Sequence, residues 1–157
     1  MKARWKWTVL VAVVAALVVS MAGVALAASE TTPAGPAAST TTASLSAHVT
    51  RHLVTLREEE KLARDVYTVF YEKWGAEAFS KIATAESRHM AAVKRLLDRY
   101  GIEDPVGENG PGVFTNEKIQ AAYNDAVAKG TTSLENAYKV GIAIEKADIA
   151  LLPAYAA

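Results

Sequence analysis

Between Ala47 and Trp74 the apolar residues Leu53, Leu56, Ala63, Tyr67, Phe70 and Trp74 recur at steps near three and four, with no proline and no internal glycine. That spacing predicts a long first helix, ended by Gly75. A second helix, from Ala76 to Tyr100, presents Phe79, Ile82, Val93, Leu96 and Tyr100, and Gly101 closes it. Two long helices joined by so short a link should lie antiparallel. The stretch from Gly101 to Gly112, with its IEDPVGENGPG, reads as a loop. A shorter helix from Asn116 to Lys129 turns Ile119, Tyr123 and Val127 inward and takes Gly130 as its stop. Thr132-Ser-Leu-Glu135 fits a capping box, so a last helix should run from Ser133 to about Leu152, before Pro153. No segment alternates with the period of a strand, and the class is all-α.

Several polar residues break this pattern from within. Taking Glu60 as reference, Leu53, Leu56, Tyr67, Tyr71 and Trp74 lie within about 40° of it around the helix, Glu59 about 100° round and Glu58 almost opposite. Glu60 therefore belongs to the apolar seam, whereas the rest of a charge run usually forms a solvated face. On the second helix Glu86 and His89 share a stripe with Ile82 and Val93, and on the last helix Glu145 sits beside Tyr138, Gly141, Ile149 and Leu152 with Asp148 one turn on. Three helices thus each bring acids to the face they should bury. An unpaired buried carboxylate costs several kcal/mol, so the group needs a shared solution. A metal ion is one: Glu-x-x-His sets two ligands a turn apart, and carboxylates from neighbouring helices complete an oxygen-rich shell suited to iron or manganese.

The ordinary readings stand beside this one. Tyr67, two turns from Glu60, is either core or a hydrogen-bond donor and electron relay to a ligating carboxylate. Arg64 either pairs with a buried acid, Glu60 or Asp148, or rests as a rim residue. His52, about 80° from Glu60, reads as a surface or capping residue, and His48 as the point where the linker meets the helix.

Charge and composition add the context. The 157 residues carry 17 basic and 17 acidic side chains and no cysteine, which excludes a disulfide scaffold and any thiolate metal site. Lys2, Arg4 and Lys6 precede the first apolar run and every acid follows it, so the remainder is acidic by three charges and does not suggest nucleic-acid binding. Those basic residues, the apolar stretch from Thr8 to Val19 and Ala25-Leu26-Ala27 read as a signal peptide, residues 1–27, cleaved after Ala27. The rival is a retained membrane anchor, because Trp7 to Ala28 almost spans a bilayer. Residues 28–45, rich in Thr, Ser, Ala and Pro, read as a disordered linker. The folded domain is then 46–157 in a secreted or extracytoplasmic protein.

Glu60-Lys-Leu-Ala63-Arg64-Asp-Val-Tyr67 resembles the first-helix signature of rubrerythrin-type ferritin-like proteins, and Ala85-Glu86-Ser-Arg-His89-Met90 resembles their second-helix Glu-x-x-His. Together with EEEKLARDVY, the Asp104-Pro105 loop and VGIAIEKADI from Val140 to Ile149, these segments are similar to domain-of-unknown-function family 2202 (DUF2202), over about His48 to Leu151. The resemblance implies a ferritin-like four-helix bundle with Glu60, Glu86, His89 and Glu145 at the di-metal ligand positions and Asp148 as a further acid on the last helix. By analogy of fold it also implies an oxidase or peroxide-scavenging activity, with Tyr67 as the redox residue. Family members continue into another long helix with a late histidine, whereas this chain ends at Leu151-Leu-Pro-Ala-Tyr-Ala-Ala157. The expectation is therefore a truncated bundle of three long helices and one short crossover helix, a gap filled by the Asn116 helix, or a homodimer that completes the bundle. The competing function is a metal-free helical interaction module at the cell surface, its acids neutralised by Arg64, Arg88 or Lys94.

Overall fold

The computed structural model describes residues 45–155, and the predicted leader, its cleavage site and the linker up to Ser44 lie outside the described residues. Within them the chain forms four helices and no strand: α1 Ala47–Trp74, α2 Glu77–Tyr100, α3 Glu117–Gly130 and α4 Leu134–Tyr155. None of these is long and apolar enough to cross a membrane.

Local chemistry sets the ends. Ser46 caps α1, its hydroxyl accepting from the Val49 N–H at 3.3 Å, and the Asn116 side chain accepts from Lys118 N–H at 3.0 Å to start α3. Gly75 and Gly101 both adopt φ of +64°, the left-handed conformation that ends a helix without Cβ strain. The start of α4 differs from the predicted capping box by one residue. Ser133 is the cap, its hydroxyl accepting from Asn136 N–H and its carbonyl from Ala137 N–H, while Glu135 pairs with Lys139 instead. The helix also runs to Tyr155, past Pro153, before which the sequence predicted its end.

α1 is the spine: α2 packs along it, and α3 and α4 pack against it and against each other. The main core joins Ala63, Val66, Tyr67 and Phe70 of α1 to Phe79 of α2, Ala126 of α3 and Ala137 of α4. A second cluster, Leu53, Val93 and Leu97, closes the far end of the α1–α2 pair and takes in Leu45, which the sequence reading assigned to the linker. Gly130 is not an αL stop; it is the last residue of α3, held against α1. A Cβ there would lie 2.0 Å from Cζ of the Phe70 ring, and the Trp74 indole N–H donates to the Gly130 carbonyl at 3.0 Å. Gly130→Ala should therefore destabilise by about 1–3 kcal/mol or more, read as a lower urea midpoint, since the ring is wholly buried and has nowhere to move. An unchanged midpoint would contradict this packing.

The loop between α2 and α3 is tied to the back of α1 by four charged side chains. Arg57 donates to Asp104, with its Nη2 3.1 Å from Oδ2, Lys61 donates to the Gly110 carbonyl at 2.7 Å and to Asp65 at 2.6 Å, and Asp65 accepts the Gly112 N–H at 2.9 Å. Glu58, which the helical wheel puts opposite the seam and therefore in solvent, is 2% exposed and accepts the Thr115 and Asn116 N–H groups. The back face of α1 is polar because it binds loop backbone, whose N–H and C=O groups need partners once covered.

Candidate metal centre

On the opposite face the seam residues converge. The long stretch of α1 without glycine or proline holds Glu60 in register with the core, and α2 sets Glu86 and His89 one turn apart facing it. Nδ1 of His89 lies 2.8 Å from Oε2 of Glu86 and 3.3 Å from Oε2 of Glu60. One ligand atom from each of the three falls within 4.8 Å of the others. Both glutamates are buried and the imidazole is half-buried.

Tyr67 and α4 form the adjoining wall. The buried Tyr67 hydroxyl donates to Oε1 of Glu145 at 2.7 Å and lies 3.0 Å from the Gly141 carbonyl. Gly141 permits this approach: a Cβ there would sit 3.1 Å from the Tyr67 ring. The ring also stacks on Phe79, centroids 6.1 Å apart, so a residue of the core carries its polar tip to the acids. Asp148, half-buried one turn beyond Glu145, experiences the charges of Glu60, Glu145, Glu86 and Glu59.

Glu59 is the residue that sequence reasoning left out. Helical geometry turns it about 100° from Glu60, and its Oε2 is buried with no hydrogen-bond partner. The signal in the sequence was its spacing of four, seven and eleven to Ala63, Val66 and Phe70, which sets it on the side of α1 that the core covers. Arg64, offered as a partner for Glu60 or Asp148, instead binds Asp65, Nη2 to Oδ1 at 2.6 Å, because that carboxylate already anchors the loop. Lys94 pairs with Asp98.

The electrostatics record a cluster short of cations. Burial pushes the Glu86 carboxyl up to about 7, opposed by its hydrogen bond to His89 and reinforced by Glu60. Burial and then the charges of Glu60, Glu145, Glu86 and Glu59 push Asp148 up to about 8. Burial also raises Glu59, and it raises Glu145 against the Tyr67 hydrogen bond. Hydrogen bonds to Glu60 and Glu86 hold the His89 imidazolium up to about 10 despite burial. The Tyr67 phenol is raised by burial and by Glu145.

These directions set the pH dependence of the metal-free chain. In the unfolded chain the carboxylates release protons near about pH 4 and histidine near about 6.5. The folded chain keeps them until about 7 at Glu86, about 8 at Asp148 and about 10 at His89. Folded protein therefore binds more protons throughout that interval, and stability must fall as pH rises. In chelator, the urea midpoint should drop from pH 5 to pH 9; a flat or rising profile would contradict the buried cluster.

The donor set fits a divalent cation. Hard carboxylate oxygens with one imidazole nitrogen suit iron or manganese, the Glu59 oxygen without a hydrogen bond adds an unmet acceptor, and a dication would neutralise acids that, among the described residues, pair with His89 and with no lysine or arginine. The fold and centre together define a class: an all-α helical bundle with a buried carboxylate–histidine cluster. The chain belongs to the family described as an uncharacterized protein domain, DUF2202, which it matches over residues 49–155. It is 51% identical over 98 residues to uncharacterized protein MJ0754 of Methanocaldococcus jannaschii, covering 62% of this chain and 53% of that protein. The chain thus spans about half the length of the curated relative it matches. The crystal structure of hypothetical protein MJ0754 from Methanococcus jannaschii DSM 2661 is similar in fold, with a TM-score of 0.69 at 43% identity, over 80% of this chain and 67% of that one.

Proposed function

We propose that the protein is an exported, ferritin-like metal-binding protein that holds iron or manganese between Glu60, Glu86 and His89, with Glu145 and Asp148 as the ligands on α4. The observation that carries this reading is the convergence on one imidazole of two buried carboxylates that, among the described residues, have only His89 as a basic partner. A bound pair of such ions would supply one-electron chemistry at an oxygen-rich site, the capacity of an oxidase or a peroxide scavenger.

The chain's own part is to bind and to manage protons. To serve as a ligand His89 would release to solvent the proton it holds between Glu60 and Glu86, leaving the Nδ1 lone pair free to hold the ion. Tyr67 orients Glu145 through its hydroxyl and keeps that proton, its phenol being far too basic to ionise near neutrality. The rings of Phe79 and Tyr138, centroids 4.9 Å apart, line the α2–α4 side beside Tyr67. Export is supported by the basic, apolar and Ala-x-Ala order of the first residues. A homodimer that completes a ferritin-like bundle is supported by Tyr138, Ile142 and Ile149, which lie exposed on the same face of α4 as Glu145.

The metal-free interaction module is the weaker reading because Arg64 and Lys94, two of the bases it requires, bind Asp65 and Asp98. Elemental analysis of the purified chain after incubation with Fe(II) or Mn(II), with its mass in solution measured on the same sample, tests the proposal. Stoichiometric metal retained through gel filtration is expected, in a dimer; a chain that retains neither metal would overturn the site.

A further inference from the structure

We infer that His48 and His52 form a second metal site, separate from the buried cluster, that binds a transition dication preferring imidazole nitrogen, such as zinc. The two residues are four apart on the first turns of α1 and therefore share a face. Their Nε2 atoms are 3.0 Å apart, and the rings meet edge to face with centroids 4.2 Å apart. Two imidazole nitrogens each about 2.0–2.1 Å from one ion, at right-angled to tetrahedral geometry, stand about 2.9–3.4 Å apart. The side chains already hold that separation. An ion would sit to one side of the line between the two nitrogens, with both rings protonated at Nδ1 so that each Nε2 offers its lone pair.

The site differs from the buried cluster in chemistry as well as position. Nitrogen-only donors on an exposed helix face favour zinc, nickel or copper over the hard ions that suit carboxylates. Eight residues of helix, about 12 Å along the axis, separate His52 from Glu60, and the two point about 80° apart. His48 is exposed, so water reaches the shell from that side and the ion exchanges readily.

The test is a calorimetric titration of the full chain with Zn(II), in four forms: wild type, Glu86→Ala, Thr50→His with His52→Thr, and all three changes combined. The histidine exchange keeps composition constant but moves the imidazoles to i and i+2, about 200° apart, where one ion cannot reach both. Glu86→Ala should retain a Zn(II) binding event that the combined variant loses or shows weakened about tenfold or more, the loss of a chelate. Cu(II) bound to Glu86→Ala should show nitrogen hyperfine structure from two imidazoles, and from fewer in the combined variant. Equal Zn(II) affinity in those two variants would overturn the His48–His52 site, leaving only general surface binding. Because the buried cluster is scored by comparing wild type with Glu86→Ala, its failure is read separately.

Discussion

Glu86→Ala should abolish the thermal stabilisation that Mn(II) or Fe(II) gives the protein and leave its helical content nearly intact. A ligand that binds only the folded state stabilises it by about 4.1 kcal/mol at a free concentration 1,000 times its Kd, and all of that depends on the ligand set. Glu86 stands at the middle of that set, 2.8 Å from His89 and in electrostatic contact with Glu60, Glu145 and Asp148. Without metal the same change costs little. It removes a hydrogen bond worth about 0.5–1.5 kcal/mol net, but also a carboxylate that burial already disfavours as an anion. Differential scanning of wild type and variant, with Mn(II) and with chelator, separates the two. If the metal-induced shift persists unchanged in Glu86→Ala, the three-residue centre is wrong.

Asp65→Ala should be the most damaging single change outside that centre, lowering stability by about 3–5 kcal/mol. The carboxylate receives Lys61 at 2.6 Å, Arg64 at 2.6 Å and the Gly112 N–H at 2.9 Å. Lys61 is 1% exposed, so its ammonium would be left among apolar groups with the Gly110 carbonyl and the Phe114 ring, 4.4 Å from its centroid, as company. Urea denaturation at pH 7 measures the loss. Changing Lys61 to Met in the same chain should recover much of it, since removing both charges leaves no uncompensated ion. A loss below 1 kcal/mol for Asp65→Ala, an order-of-magnitude threshold for a solvated pair, would mean that the loop contact is replaced by water.

Most of the helical architecture was legible in the chain. Periodicity located the four helices of the described residues, and Gly75 and Gly101 marked two of their ends, because a 3.6-residue repeat and a left-handed cap are local properties. Glu60, Glu86 and His89 were legible as well, since a helical wheel shows which residues share a face. The difficulties arose where a position's role depended on what covers it. Gly130 reads as a stop in sequence and is a steric accommodation of Phe70 in the fold. Thr132 and Ser133 are both good caps, and only the hydrogen bond to Asn136 chooses between them.

The amino-acid sequence by itself determined that the chain is all-α, where its helices run, and that acids and a histidine lie on faces meant for burial. Tertiary structure alone decided their partners. Glu58, Glu59 and Glu60 are chemically identical neighbours, yet Glu58 binds the backbone ahead of α3, Glu59 has an oxygen buried without a partner, and Glu60 faces His89. The reason is that a residue's direction around a helix follows from local geometry, whereas the dielectric and the charges it meets come from elements 30 to 90 positions away, which no local pattern encodes. The same holds for His48 and His52: their spacing places them on one face, but the 3.0 Å separation of their Nε2 atoms follows only from the rotamers the fold selects.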